Sequence, residues 1–146
     1  MKRTKASAPP RRAAQAGRGL AELAALATAA RQRAHAPFSK FKVGAALRTR
    51  TGEVVTGCNI ESASYGLTMC AERVAVFKAV SEGLTEFDAI AVVADSPRPT
   101  APCGACRQIL WELCGNVWVH MVDMKGRVVT KRMAEVLPLP FDARNL

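Results

Sequence analysis

The sequence predicts an α/β domain: a three-layer α/β/α fold around a five-stranded mixed sheet, with its last two strands antiparallel. Three observations carry this expectation. Strand-length apolar runs alternate with helix-length amphipathic segments from residue 20 onward. The run Asp-Ala-Ile-Ala-Val-Val-Ala-Asp at 88–95 is apolar without alternation, as a strand buried on both faces must be. Finally, Met124-Lys125-Gly126 is too short a link for a parallel crossover, which needs about a dozen residues, so the two strands it joins run antiparallel.

Taken in order, residues 20–34 repeat Leu20, Leu23, Leu26, Ala27 and Ala30 at helical spacing, with alanine-rich filling, and Pro37 stops the helix. His35, at its end, reads as a cap or surface group. Residues 42–49 and 53–60 form a hairpin around the turn at 49–52. Gly44, Ala45 and Ala46 leave room for something packed close to the first strand, and Gly57 marks a bulge or a close backbone approach. Residues 70–82 form a helix whose expected inward face is Val74, Phe77 and Val80 with Ala71 and Ala75; Gly83 ends it. After the strand at 88–95 comes the proline-rich loop 96–102. A helix at 103–114 then turns Ile109, Leu110 and Leu113 inward. Strands at 117–123 and 127–131, a short helix at 133–137 and an extended tail complete the chain. The strand–helix–strand unit from about 89 to 122 is expected to be parallel.

With 146 residues, about half of them hydrophobic, the chain suffices for one domain with a full core. No apolar run reaches the roughly 18 residues of a membrane span, and no apolar segment follows the basic start as in a secretory signal. The net charge of +9 suggests nucleic acid until it is located. Residues 1–19 hold Lys2, Arg3, Lys5, Arg11, Arg12 and Arg18 with no acid; the remaining fifteen basic and twelve acidic residues leave only +3. The domain expectation is therefore a disordered basic extension at 1–19 and a catalytic domain at 20–146, with no specific nucleic-acid partner. Five cysteines without an export signal favour a reducing, cytoplasmic setting with metal-bound or free thiols. Cys114 reads as core, and Cys58 as core or near a pocket.

The chemistry concentrates in two segments. Cys70-Ala71-Glu72-Arg73 is followed, after twenty-nine residues beyond Glu72, by Pro102-Cys103-Gly104-Ala105-Cys106-Arg107. Cys70, Cys103 and Cys106 can hold Zn2+ and leave its fourth tetrahedral position open, which a catalytic site needs and a structural site avoids. Glu72, two residues from a ligand, is placed to handle protons without ligating the metal. The pattern resembles the signature of zinc deaminases, in its all-cysteine form. Cys70 and Cys103 fall where loops enter helices, whose N-termini stabilise thiolates. Pro102 suits a first helical turn. Three thiolates on a dication leave about −1, so something must offset the excess charge. Arg73 and Arg107 are candidate donors to sulfur, Arg73 the stronger. Asn59-Ile60-Glu61 is a second cluster. In extended backbone Asn59 and Glu61 share a side, an amide and a carboxylate that suit sugar hydroxyls and repel phosphate, favouring a free nucleoside.

These residues resemble the small, homotetrameric cytidine deaminase family. The likeness runs through Ala36-Pro37-Phe38-Ser39-Lys40-Phe41-Lys42-Val43-Gly44-Ala45-Ala46, Gly57-Cys58-Asn59-Ile60-Glu61, both cysteine segments and Glu135-Val136-Leu137-Pro138-Leu139-Pro140-Phe141, covering about 20–146. It implies a cytidine deaminase-like fold. It implies hydrolytic conversion of cytidine and deoxycytidine to uridine and deoxyuridine with release of ammonia, as in pyrimidine salvage. By the same resemblance Cys70, Cys103 and Cys106 bind zinc, Glu72 shuttles protons, and Asn59 with Glu61 hold the ribose. Phe41 stacks on the pyrimidine, Ala71 offers backbone contacts to the base, and Phe141 closes a neighbouring subunit's pocket in a homotetramer. The family often has tyrosine where this chain has Phe38. A deaminase of another nucleoside or base, such as blasticidin S, is the alternative on the zinc motif alone.

Overall fold

The computed structural model describes residues 19–146, so all of the expected basic extension except Gly19 lies outside the described residues. Five strands form one sheet in the order β2-β1-β3-β4-β5. They are β1 (Val43–Thr49), β2 (Val54–Cys58), β3 (Phe87–Ala94), β4 (Trp118–Asp123) and β5 (Val128–Arg132). The hairpin β1–β2 is antiparallel, β3 and β4 are parallel, and β4–β5 is antiparallel, as expected from the sequence. β1 also pairs antiparallel with β3, from Val43 opposite Ala94 to Thr49 opposite Phe87, and so lies inside the sheet.

Alternate residues of the strands point to opposite faces, and each face has its own apolar cluster. Ala46, Ala89, Ala91 and Val93 meet Leu23 and Ala27 of α1 (Leu20–Arg31). Ala45, Leu47, Ile90, Val92 and Val119 meet the other helices: α2 (Ala71–Ser81), α3 (Gly104–Cys114) and the short α4 (Met133–Val136). Helix α1 ends at Arg31, because Gln32, Arg33 and Ala34 bond back three residues in a tightened turn. His35 therefore caps nothing. It is exposed, and its backbone bonds Asn59 and Glu61 on either side of Ile60.

Two glycines set how closely helices approach the sheet. A Cβ on Gly44 would lie 1.9 Å from the Ala27 carbonyl oxygen and 2.5 Å from the Arg31 nitrogen. A Cβ on Gly57 would lie 2.5 Å from the Ala71 oxygen and 2.6 Å from the Ala75 nitrogen. Gly57 is thus a site of close approach within a regular strand. It also corrects the face expected for α2. The buried stripe is Ala71, Ala75 and Ala79 with Glu72 and Val76, whereas Phe77 and Val80 are exposed. Only a small-residue stripe lets the helix backbone come this near, so the bulky side chains turn outward. In α3, likewise, Leu110 is buried but Leu113 is exposed.

Beyond the expected elements, single 3-10 turns form at Tyr65–Leu67 and Ala143–Asn145. The second is fastened to α3 through Asp142, which accepts from the Trp111 indole N–H at 2.8 Å. No described helix is long and apolar enough to cross a membrane.

The glycine contacts give a stability test. Gly44→Ala forces a methyl into helix backbone and should cost about 3 kcal/mol or more, a loss of roughly 10 °C in Tm for a chain of this size. Gly66→Ala, which meets nothing within 4 Å, should shift Tm by only about a degree. Thermal unfolding of the two variants checks this.

Candidate active site

Helices α2 and α3 both begin at a cysteine. Cys70 and Cys103 are the N-cap residues, extended at φ −72°, ψ 153° and φ −66°, ψ 166°, and neither side chain caps its own helix. Their carbonyls open the helical ladders by accepting from Val74 and Arg107. The thiols are left free to face one another where the orphan N–H groups of two first turns converge. Cys106, in the first turn of α3, supplies the third sulfur. The three Sγ atoms lie within 4.8 Å of one another, with Cys70 and Cys103 at 3.8 Å. Tetrahedral zinc at about 2.3 Å from each sulfur requires a separation of about 3.8 Å, so the trio fits the ion. Pro102 lies outside the first helical turn expected for it, two residues before Gly104, where α3 begins. It precedes the cap and is fully buried, and its carbonyl accepts from Arg107 Nε at 2.7 Å.

The charges around the trio are arranged to match. Arg73 Nη2 lies 3.5 Å from Cys70 Sγ, and Arg73 Nε is buried with no partner among the described residues. A guanidinium placed this way suits a centre more negative than one thiolate. A hydrogen bond from Cys106, with help from Arg73 and Cys103, pulls the Cys70 thiol down to about 5. The Cys106 thiol moves up, first because it donates to Cys70 and then through burial. Arg107 does not reach sulfur. Its other donation goes to the Val136 carbonyl at 3.0 Å, which ties α3 to α4. Glu72 is only 4% exposed, and burial chiefly, with the Cys70 charge, pushes its carboxyl up to about 7.

A cavity of about 250 Å3 opens beside these groups. Its wall brings together Cys70, Ala71, Glu72 and Cys103 from the helix starts with Phe41, Asn59 and Glu61 from the β1–β2 side. Asn59 is not a free amide. Its Oδ1 accepts from the Val43 N–H and its Nδ2 donates to the Phe41 carbonyl, both at 2.8 Å. Phe141 does not line this cavity; it is 60% exposed, and its carbonyl accepts from Gln108. Ser39, Thr68 and Thr100 line the wall without having been singled out in the sequence. A larger depression, about 630 Å3 at the other end of the sheet beside Arg50, Trp118 and Arg132, contains none of the trio. Cys114 packs against the core beside it, its thiol pushed up to about 12 by burial. Cys58 is half-buried and lines neither space.

Residues 19–121 match the family model for the cytidine and deoxycytidylate deaminase zinc-binding region. The chain belongs to this deaminase family. A cytidine deaminase from Sporosarcina psychrophila is 48% identical over 118 residues, 80% of this chain and 87% of the relative. The crystal structure of cytidine deaminase from Burkholderia pseudomallei superposes with a TM-score of 0.82 at 49% identity, covering 84% of this chain and 98% of that one. A blasticidin-S deaminase from Bacillus cereus is 35% identical over 111 residues, 70% of this chain and 79% of the relative. The family's zinc-binding region thus coincides with the one described cluster of three or more ligand-type side chains able to hold a metal ion.

The depressed Cys70 thiol gives a test on metal-stripped deaminase. Below its ordinary range a thiol is already thiolate near neutrality and alkylates faster. Iodoacetamide at pH 6 should label Cys70 well before Cys106 and Cys114, by at least about ten-fold in rate, and bound zinc should protect it. Peptide mass mapping against time reads the order. Equal rates at the three positions would contradict the assignment.

Proposed function

We propose that the chain catalyses zinc-dependent hydrolytic deamination of cytidine and deoxycytidine, giving uridine or deoxyuridine and ammonia. The observation that carries this reading is a buried carboxyl, Glu72, set beside three convergent thiols on the wall of a nucleoside-sized cavity. Cys70, Cys103 and Cys106 would hold zinc, which when bound acidifies water so that a nucleophile is available near neutral pH.

The chain's own groups do the rest. Glu72 takes a proton from the attacking water and passes it to a ring nitrogen, then supplies one to the departing amine. The water oxygen becomes the new carbonyl at C4, and the amino nitrogen leaves as ammonia. Burial suits Glu72 to the task, since a carboxyl with a pKa near 7 both accepts and donates at neutral pH. Arg73 donates to Cys70 and draws negative charge from the thiolates, keeping the metal electrophilic. Phe41 stacks on the pyrimidine, the Ala71 backbone contacts the base, and Asn59 with Glu61 bind the ribose. Phe141 closes the pocket of a neighbouring subunit. This is supported by its exposure away from its own cavity and by the exposure of Tyr65 (75%) and Leu67 (73%), apolar surface that a homotetramer would cover. The catalytic domain is residues 20–146, working in the cytoplasm on a free nucleoside, without membrane or specific nucleic-acid partners.

A substrate panel of cytidine, deoxycytidine, cytosine, adenosine and blasticidin S, followed by ultraviolet absorbance and ammonia release, tests the activity. Turnover of the two cytidine nucleosides is expected; turnover of blasticidin S alone would move the assignment to the antibiotic. Glu72→Gln should retain one zinc per chain and lose about 10²–10⁴-fold in kcat, read by metal analysis beside kinetics. Light scattering should give about four times the 15.6 kDa chain mass. Phe141→Ala should raise KM several-fold while leaving zinc content intact.

A further inference from the structure

Glu61 accepts three hydrogen bonds from its own chain. The Phe38 and Ser39 backbone N–H groups donate to Oε2 at 2.9 and 3.2 Å, and the Ser39 hydroxyl donates to Oε1. These donors, the Ser39 hydroxyl foremost, hold the carboxyl below its usual range, so it is ionised at neutral pH. The same hydroxyl accepts from the Phe41 N–H at 3.0 Å. Beyond it, the Phe41 carbonyl accepts from Asn59, which in turn accepts from Val43 at the start of β1. Glu61, Ser39, Phe41 and Asn59 therefore form one hydrogen-bonded path along the cavity wall.

The backbone is bent to make this path. Lys40 sits at φ 61°, the left-handed region that a residue with a Cβ enters at a cost of about 1 kcal/mol. Its N–H bonds the Ala36 carbonyl at 3.1 Å and its ammonium the Pro37 carbonyl at 2.7 Å. This turn brings the Phe41 N–H back to the serine two residues earlier. A carboxylate offers about four acceptor sites. Two on Oε2 and one on Oε1 are taken, leaving about one for an incoming hydroxyl.

We propose that Ser39 is a positioning residue for nucleoside binding: its hydroxyl fixes the Glu61 carboxylate to the Phe41 backbone, so that the sugar acceptor and the base-stacking ring are held at one separation. The proposal rests on the reading of Glu61 as the sugar-binding carboxylate. Without the serine hydroxyl, Glu61 keeps only its two backbone donors on Oε2, and the Phe41 N–H loses its acceptor while its carbonyl stays bonded to Asn59, so the link between the two residues is cut while Glu72 and the thiols keep their places. Binding should suffer and chemistry should not.

The test uses the zinc-loaded full chain as wild type, Ser39→Ala, Ser39→Thr and Glu61→Ala, with zinc content measured for each. Steady-state kinetics are run on cytidine. The Ki of 2′,3′-dideoxycytidine, which lacks both ring hydroxyls, is measured by competition. Ser39→Ala should raise KM for cytidine about ten-fold, the scale of one charge-assisted hydrogen bond, with kcat within about two-fold. Ser39→Thr should restore most of the loss, and the Ki of the dideoxynucleoside should change by less than about two-fold. If Glu61→Ala raises KM but Ser39→Ala does not, the serine has no positioning role and the sugar reading stands. If Ser39→Ala weakens both ligands equally and threonine restores nothing, the effect is general damage to the loop and the proposal fails. If Glu61→Ala leaves the cytidine KM unchanged, the sugar reading itself falls, and the proposal with it.

Discussion

Three sulfur atoms on two different helices must come within about one metal-ligand polyhedron of each other, and most of the molecule serves that requirement. Helix α2 is brought to its place by backbone contact with Gly57 through an alanine stripe. Helix α3 is brought to its place by the parallel β3–α3–β4 crossover and by the loop between Ala94 and Cys103. That loop is tied down at two points. Arg107 holds the Pro102 carbonyl, and Arg127, itself bonded to the buried Asp123, holds the Pro97 carbonyl at 2.6 Å. A shift of one helix start by an ångström would carry the Cys70–Cys103 sulfur separation away from the roughly 3.8 Å of a tetrahedral zinc site.

The same convergence sets the electrostatics. Two helix N-termini and Arg73 stabilise negative charge at sulfur, whereas burial works against charge on Glu72. The two carriers of negative charge are thereby pushed in opposite directions, Cys70 toward the thiolate and Glu72 toward the acid. This separation sets a readily ionised thiol beside a carboxyl with a pKa near 7, from side chains only two residues apart.

Much of this was legible in the chain, for reasons that can be named. Strand β3 was readable because a strand buried on both faces must be apolar throughout, and the antiparallel β4–β5 pair because the link is too short for anything else. The trio and Glu72 were readable because their spacing carries chemistry. The inward face of α2 was not. Hydrophobic periodicity rewards large residues, and Phe77 and Val80 outweigh alanines that are buried because they are small. The pairing of β1 with β3 was hidden because nothing local records a contact between positions 43–49 and 87–94. Ser39 was hidden because a serine in a loop has no pattern until its hydroxyl is seen between Glu61 and Phe41. The end of α1 three residues early and the place of Pro102 before the cap are matters of helix boundaries, decided by hydrogen bonds.

The thiols' position at helix caps bears on how the protein lives with its metal. In a zinc finger the ion substitutes for a core, and removing it unfolds the chain. Here both apolar clusters close between helices and sheet, and Cys106 is the only member of the trio with a fully buried side chain. Folding and metallation are therefore separable. The chain can reach its final shape first and acquire zinc afterwards, so the active fraction of a population would follow the supply of the ion rather than the yield of folding.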